Sequence, residues 1–284
     1  MCMNKKILTK HDVPACIPCR KGVGGCLLLS SLLTLLSFFS SCSNISEDER
    51  YIYVKPADVN RCVLVEDFTG QRCTNCPRAI DEIHRLQEQY GDDVVIAVGI
   101  HSGPLGFKTN QRFLGLKTDT GDEYYNYWNL EYQPVGMVNR TGAIDYTSWG
   151  GRIYEELQKT APLSITLSTS VNVQDRQLDV ETSLYGVNGN FTGKLQLWIV
   201  EDNITAFQMM PDGSRQEDYV HQHVFRAAVN GTWGEDIKVN EGQQVNFKCK
   251  GVPLSEDWNV DNLFIIAFVY DDNGVQQVTK LKLQ

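Results

Sequence analysis

The stretch VLVEDFTGQRCTNCPRAIDEIHRLQEQYG, residues 63–91, constrains the fold more than any other part of the chain. RCVLVEDF is apolar and β-branched over about seven residues, the pattern of a buried strand. TGQRCTNCP turns the chain. Ala79, Ile80, Ile83 and Leu86 then recur at helical spacing, and Gly91 follows Tyr90 as a stop. DVVIAVGI (93–100) is a second buried strand. The order strand, turn, helix, strand is a βαβ unit, which calls for parallel pairing with a right-handed crossover.

The turn carries two cysteines, Cys73 and Cys76, two residues apart. A dithiol switch needs sulfurs that can meet and one thiol acidic enough to attack. Cys73 falls at a helix start, where unsatisfied N–H groups and the helix dipole stabilise a thiolate. It is therefore the expected nucleophile, and Cys76, one turn inside, the resolving thiol. Arg72 adds a positive charge if its side chain points that way, and Pro77 costs little so early in a helix. Three alternatives stand beside thiol–disulfide exchange. A purely structural bridge uses the same residues. A zinc site wants a second ligand pair, and Cys62 and Cys249 lack metal-ligand spacing. A copper site would recruit His101 at the end of the next strand. No metal or other cofactor is expected.

Further on, the chain predicts helix around 109–115 and near 121–128, a strand, turn and return strand in PVGMVNRTGAID, and a closing helix in TSWGGRIYEELQKT. After Pro162 the texture changes to seven strand-like runs: LSITLSTSVNV, QLDVETSLYG, GKLQLWIVED, YVHQHVFRAAV, QQVNFKCKG, LFIIAFVYD and GVQQVTKLKL. Turn signals such as VNGN and DDNG separate them. This predicts an all-β, Ig-like β-sandwich over 162–284 behind an α/β domain over 61–161. Within it, HQH puts His221 and His223 on one strand face near Glu217 and Asp218, a spacing able to bind a metal but more common in plain strands. Trp198, Trp233 and Trp258 read as packing residues. AFQMMPDG has no clear pattern; Met209 and Met210 either line a partner groove or fill a gap.

The first forty residues are different again. A basic head precedes the apolar run LLLSSLLTLLSFF (27–39), too short to span a bilayer, and then SSCSN. This is a secretory signal over 1–41. FSSC resembles a bacterial lipobox, which makes Cys42 the lipidated first residue of the mature chain and 42–60 a tether. Nine cysteines then become five: Cys42, Cys62, Cys73, Cys76 and Cys249. Cys62 and Cys249 are read as two small buried residues rather than a second bridge. Loss of five cations and one anion takes the net charge from −9 to −13. So acidic a body gives nucleic-acid binding no support, and a lipid anchor rather than a basic patch must hold the membrane. SEDE (46–49) also resembles the export signal of Bacteroidetes surface lipoproteins.

VLVEDFTGQRCTNCP resembles the active-site segment of thioredoxin-fold proteins, over about residues 60–160. The resemblance implies that Asp67, six residues before the first cysteine, is a buried carboxyl that moves the resolving thiol's proton. It also implies that Pro134 in YQPVGMVNR is a cis-proline whose loop aligns a substrate backbone. The family's tryptophan before the first cysteine is Arg72 here, and Thr74–Asn75 contains no proline. The lipobox, VEDFTGQRCTNCP, YVHQHVFRAAVNGTWGE and WNVDNLFIIAFVYDD together resemble the outer-membrane protein 28-related lipoproteins of Bacteroidetes. That implies a lipid-anchored outer-membrane protein on the periplasmic face or cell surface. Two functions fit. One is a thiol–disulfide oxidoreductase acting on protein thiols or disulfides through Cys73, Cys76, Asp67 and Pro134. The other is a surface binding or adhesion lipoprotein whose Cys73–Cys76 bridge is structural.

Overall fold

Alternating burial along the strands builds a large twisted sheet with a different cover on each part of its faces. The computed structural model describes residues 57–283. The expected signal segment and Cys42 lie outside the described residues, as does most of the tether. In chain order the elements are β1 (Val59–Asn60), β2 (Val63–Thr69), α1 (Cys76–Tyr90), β3 (Val95–His101), α2 (Asp119–Tyr127), β4 (Val135–Val138), β5 (Ala143–Ile144) and α3 (Trp149–Leu157). There follow β6 (Thr160–Ala161), β7 (Leu163–Asn172), β8 (Gln177–Gly186), β9 (Phe191–Glu201), β10 (Ile204–Met209), β11 (Arg215–His221) and β12 (Val224–Ala228). The last are β13 (Glu235–Val239), β14 (Gln244–Pro253), β15 (Leu263–Asp271) and β16 (Gly274–Lys282).

β2 and β3 pair in parallel across the α1 crossover, and β4 returns antiparallel to β2. α1 is fixed at both ends by its sequence: Pro77 sits in its first turn, and Gly91 closes it at φ 98°, a conformation a side chain resists. The face carrying Ala79, Ile83 and Leu86 packs with Val63 and Val65 of β2 and Ile153 of α3.

The sheet does not stop at these strands. Its order is β16-β15-β9-β12-β3-β2-β4-β5, with β13 also on β9. The join is the parallel contact of β12 with β3 at Val224 and Gly99. The period of two in β9 shows how one strand serves two cores. Leu195, Leu197 and Ile199 face a three-stranded sheet, β14-β8-β7, while Trp198 and Val200 face the opposite core with Leu64, Phe68 and Tyr124. The β-rich second half is thus a two-layer sandwich, but its larger layer is continuous with the sheet of the first half. The change of texture near residue 161 is crossed by this sheet, and Lys55–Gln284 cluster as one compact unit.

Two local expectations need correction. Residues 109–115 form no helix. Asn110 accepts hydrogen bonds at its side chain from the N–H groups of Arg112 and Phe113, and Lys108 bridges Leu116 antiparallel. Gly115 backs so closely onto the Lys108 backbone that a Cβ would lie 2.2 Å from it. YVHQHVFRAAV is two strands, β11 and β12. The break falls at His223, which adopts φ 58° and donates its backbone N–H to the Asp202 carboxylate, 2.6 Å away. β10 and β13 carried no strand signal strong enough to be expected. Met209 of β10 lines a cleft with Phe207 and Arg215.

Candidate active site

At the carboxyl ends of β2 and β3 the turn 70–75 is built by close backbone approach. Gly70 lies against Leu105 and Gly106, where a Cβ would come within 2.5 Å of backbone. Arg72 N–H donates to Leu105 O at 3.0 Å, and Cys73 N–H to Gly70 O at 3.0 Å. α1 begins at Cys76, which is therefore its first residue and not one turn inside it; the turn delivers Cys73 three residues earlier, and the two form a disulfide. The Cys76 N–H donates to Cys73 Sγ at 3.1 Å. The N-cap residue Asn75 makes no side-chain cap, so this sulfur occupies the place of one. Both cysteines are only 2% exposed.

Asp67 lies on β2 between Gly99 of β3 and Gly136 of β4. It is fully buried, and neither of its carboxyl oxygens has a hydrogen-bond partner among the described residues. Burial pushes its pKa up to about 8, so at neutral pH it holds a proton. Pro134 precedes β4, and the Gln133–Pro134 peptide bond is cis. The Gln133 side chain fixes that loop to the site. Its Nε2 donates to Thr69 O at 2.6 Å and Ser102 O at 3.0 Å, and its Oε1 accepts from the Leu105 N–H at 3.2 Å. The structure therefore brings Cys73, Cys76, Asp67 and Pro134 to one end of the sheet.

The site also has a roof that the sequence did not announce. β10 and β11 form a two-stranded hairpin separate from the main sheet. Gln208 of β10 donates from Nε2 to Cys73 O at 2.9 Å, and Met209 N–H donates to Gln71 O at 2.9 Å. Gln71, fully buried, donates back to Phe207 O at 3.1 Å. These contacts span about 135 positions of sequence, and only the folded chain reveals them.

Behind Cys76, the hairpin closes a small cavity lined by Thr69, Pro77, His101, Gln208, Tyr219 and His221. The His101 and His221 rings lie 5.2 Å apart, edge to face. Burial drives His221 down to about 4; burial, reinforced by the neighbouring His221 ring when protonated and by Arg226, drives His101 well below the usual histidine range. Both are neutral at physiological pH. His221 and His223 do not share a site: His223 Nδ1 lies 3.3 Å from Asp202. Among the described residues no cluster of three or more His, Cys, Asp or Glu is arranged to hold a metal. Arg72 directs its guanidinium over the Phe107 ring, 4.9 Å from its centroid.

Elsewhere the chemistry is structural. Glu66, next to Asp67 but on the other face of β2, is held by the Arg140 guanidinium at 3.0–3.2 Å. That guanidinium lies over the Phe268 and Tyr270 rings at 4.8 and 4.6 Å. Burial opposes the charge of Arg140, but Glu66 outweighs it and holds the pKa above the ordinary value. Cys62 is buried in one core cluster, whereas Cys249 is only half-buried against the other, so the expectation of two buried cysteines holds for Cys62 alone. Trp198 is core, while Trp233 and Trp258 pack against the two cores from their edges.

A family model described as outer membrane protein Omp28 matches residues 121–284. The matched span includes Pro134, Arg140 and the roofing hairpin, and begins after the CxxC turn. Among solved structures, HBP35 of Porphyromonas gingivalis is 13% identical with a TM-score of 0.63, covering 80% of this chain and 77% of that one. That likeness shows a shared fold across both halves. A domain of the outer membrane lipoprotein Omp28 from Porphyromonas gingivalis is 24% identical, covering 44% of this chain and 89% of that one, with a TM-score of 0.31. No curated protein gives a significant match.

Proposed function

The chain belongs to the Omp28 family of outer membrane proteins, and from that premise we propose an outer-membrane lipoprotein that exchanges disulfides with extracytoplasmic proteins. Family membership places the chain at the outer membrane. Among the described residues no helix is long and apolar enough to cross it. A lipid on Cys42 is the anchor we propose. We read β2, α1, β3, β4, β5 and α3 as a thioredoxin-like unit. The observation that carries the redox reading is the buried, unpartnered, protonated Asp67 on the strand leading to a disulfide at a helix N-terminus.

In this reading a thiolate of the partner attacks Cys73 Sγ. The Cys73–Cys76 bond breaks, a mixed disulfide forms, and Cys76 leaves as thiolate. Asp67 supplies the proton that neutralises it. A second partner thiolate then attacks the partner's sulfur in the mixed disulfide. It releases Cys73 as thiolate, stabilised at the helix start, and leaves the partner oxidised by two electrons. The reverse sequence reduces a partner disulfide. No cofactor enters either direction. Pro134, beside β2, offers its loop backbone to the partner chain.

One observation favours the second reading, a binding lipoprotein with a structural bridge: both cysteines are buried and β10 covers the turn that carries them. Exchange then requires the hairpin to lift. Mixed-disulfide trapping separates the two. A Cys76→Ser chain that accumulates a partner on Cys73 supports the oxidoreductase; one that accumulates nothing supports the structural bridge.

A further inference from the structure

Beside the CxxC turn, at Arg72, lies an open cleft of about 340 Å³. Its walls are Phe107, Phe113, Phe207 and Met209, with Arg72 and Arg215 at its edges. The three rings pack on one another: Phe113 is 5.0 Å from Phe207 and 6.4 Å from Phe107, and Phe107 is 6.2 Å from Phe207. A third cation joins from the loop that replaced the expected helix, for the Arg112 guanidinium lies 4.8 Å from the Phe113 centroid.

Four arginines among the described residues meet neither a carboxylate nor a set of carbonyls; Arg78 lies apart on α1, and the other three gather at this cleft. Arg61, Arg85, Arg140, Arg152 and Arg226 each meet a carboxylate. Arg176 is tied to the backbone carbonyls of Leu254, Ser255 and Trp258. Arg72, Arg112 and Arg215 have no carboxylate within ion-pair distance among the described residues, although the chain carries 35 acidic residues against 26 basic ones. A cluster of cations without counter-charges in an acidic protein reverses the local field. Guanidinium groups over ring faces present their remaining N–H donors in a fork suited to carboxylates. The apolar floor takes a large side chain, and the rim takes the negative charges beside it.

We propose that this cleft docks an extended partner segment carrying an aromatic side chain flanked by carboxylates, and that it selects which protein cysteine meets Cys73. The proposal rests on the disulfide-exchange reading for its biological role, and not for the binding itself. Met209 links the two: its N–H holds Gln71, two residues before Cys73, while it lines the cleft. A segment seated there lies beside the reactive turn. It also touches the strand that roofs it, so partner choice and access to the disulfide share one element.

The test uses the full chain in detergent and fluorescein-labelled, cysteine-free peptides read by anisotropy. One has the core Asp-Phe-Glu, a second Lys-Phe-Lys, a third Asp-Ala-Glu. The acidic aromatic peptide is expected to bind saturably and about tenfold or more tighter than either of the others. Arg72→Glu and Arg215→Glu are each expected to weaken it about tenfold, and added salt at about 0.5 M to weaken it further. The Lys250→Glu variant, on β14, carries the same charge change away from the cleft and should leave it unaltered. Equal affinity for the three peptides, or equal losses from all three variants, overturns the proposal. The peptides carry no thiol, so this result is independent of exchange. Binding with no trapped disulfide upholds the cleft and removes the redox role, whereas trapping without peptide preference does the reverse.

Discussion

Glu66 and Asp67 are neighbours on β2, both fully buried, and the chain treats them in opposite ways. On one face Glu66 is gripped by Arg140 beneath a set of aromatic rings. On the other face Asp67 is left without a partner and keeps a proton. A buried charge is costly unless it is paired, and a buried carboxyl with no pair escapes the cost by staying neutral. The first face joins the two halves of the molecule, because Arg140 follows β4 while the rings come from β15. The second face looks toward the disulfide end of the sheet. Identical burial thus goes with a paired carboxylate on one side and a neutral, unpartnered carboxyl on the other.

The largest effect should come from breaking the paired face. Arg140→Met leaves Glu66 buried and alone, at a cost of about 3–5 kcal/mol, which denaturant unfolding would read directly. Replacing both residues by Met should recover most of that loss. If the single variant is as stable as the parent, the grip on Glu66 contributes nothing and the contrast disappears.

Asp67 should show the opposite sign of pH dependence from an ordinary carboxylate. Its folded pKa of about 8 lies above the unfolded value near 3.9. Between those values the folded state binds the extra proton, so stability falls as pH rises from about 4 to about 8. The full span is worth a few kcal/mol, order of magnitude. Asp67→Asn should flatten this slope, gaining about 1–2 kcal/mol at pH 8 and nothing at pH 4. The same variant should slow disulfide exchange by about a hundredfold, the ordinary scale of lost acid–base assistance. A slope that survives the substitution would mean that another group titrates.

Much of this site is legible in the sequence, and the reasons are local. Residues 63–91 carry their own strand, turn, helix and stop signals, which place the CxxC turn at the start of a helix. The roles proposed for Asp67 and Pro134 rest on resemblance. The roof could not be seen. ITAFQM is ordinary in hydropathy, and its burial depends on Gln71 and Cys73 more than a hundred residues away. Arg140 sits in NRTG, a sequence that reads as an exposed turn, and distant rings from α2, β9 and β15 cover it. The expected helix over 109–115 yielded to Asn110 and Gly115, whose contacts favour a tight loop. The division near 161 was a real change in pattern, but hydrophobic pattern does not report which strands share a sheet.

Smaller effects probe the roof. Gln208→Ala removes one bond to the Cys73 carbonyl, worth about 1 kcal/mol, so dithiothreitol should reduce the disulfide about fivefold faster. An unchanged rate would mean that β10 does not govern access. Smallest of all, Cys249→Ala, at a half-buried site against the distant sandwich core, should leave exchange unaltered, with stability changed by about 1 kcal/mol or less.

The central claim, that Cys73–Cys76 is a working pair, is tested most directly by its reduction potential, measured by equilibration against thiol buffers. A working pair should have a value above about −300 mV, within reach of extracytoplasmic thiol partners, together with a mixed disulfide trapped on Cys73 in the Cys76→Ser chain. A bridge that stays oxidised below about −300 mV and traps no partner would contradict it, and would make the disulfide a structural clip beneath β10.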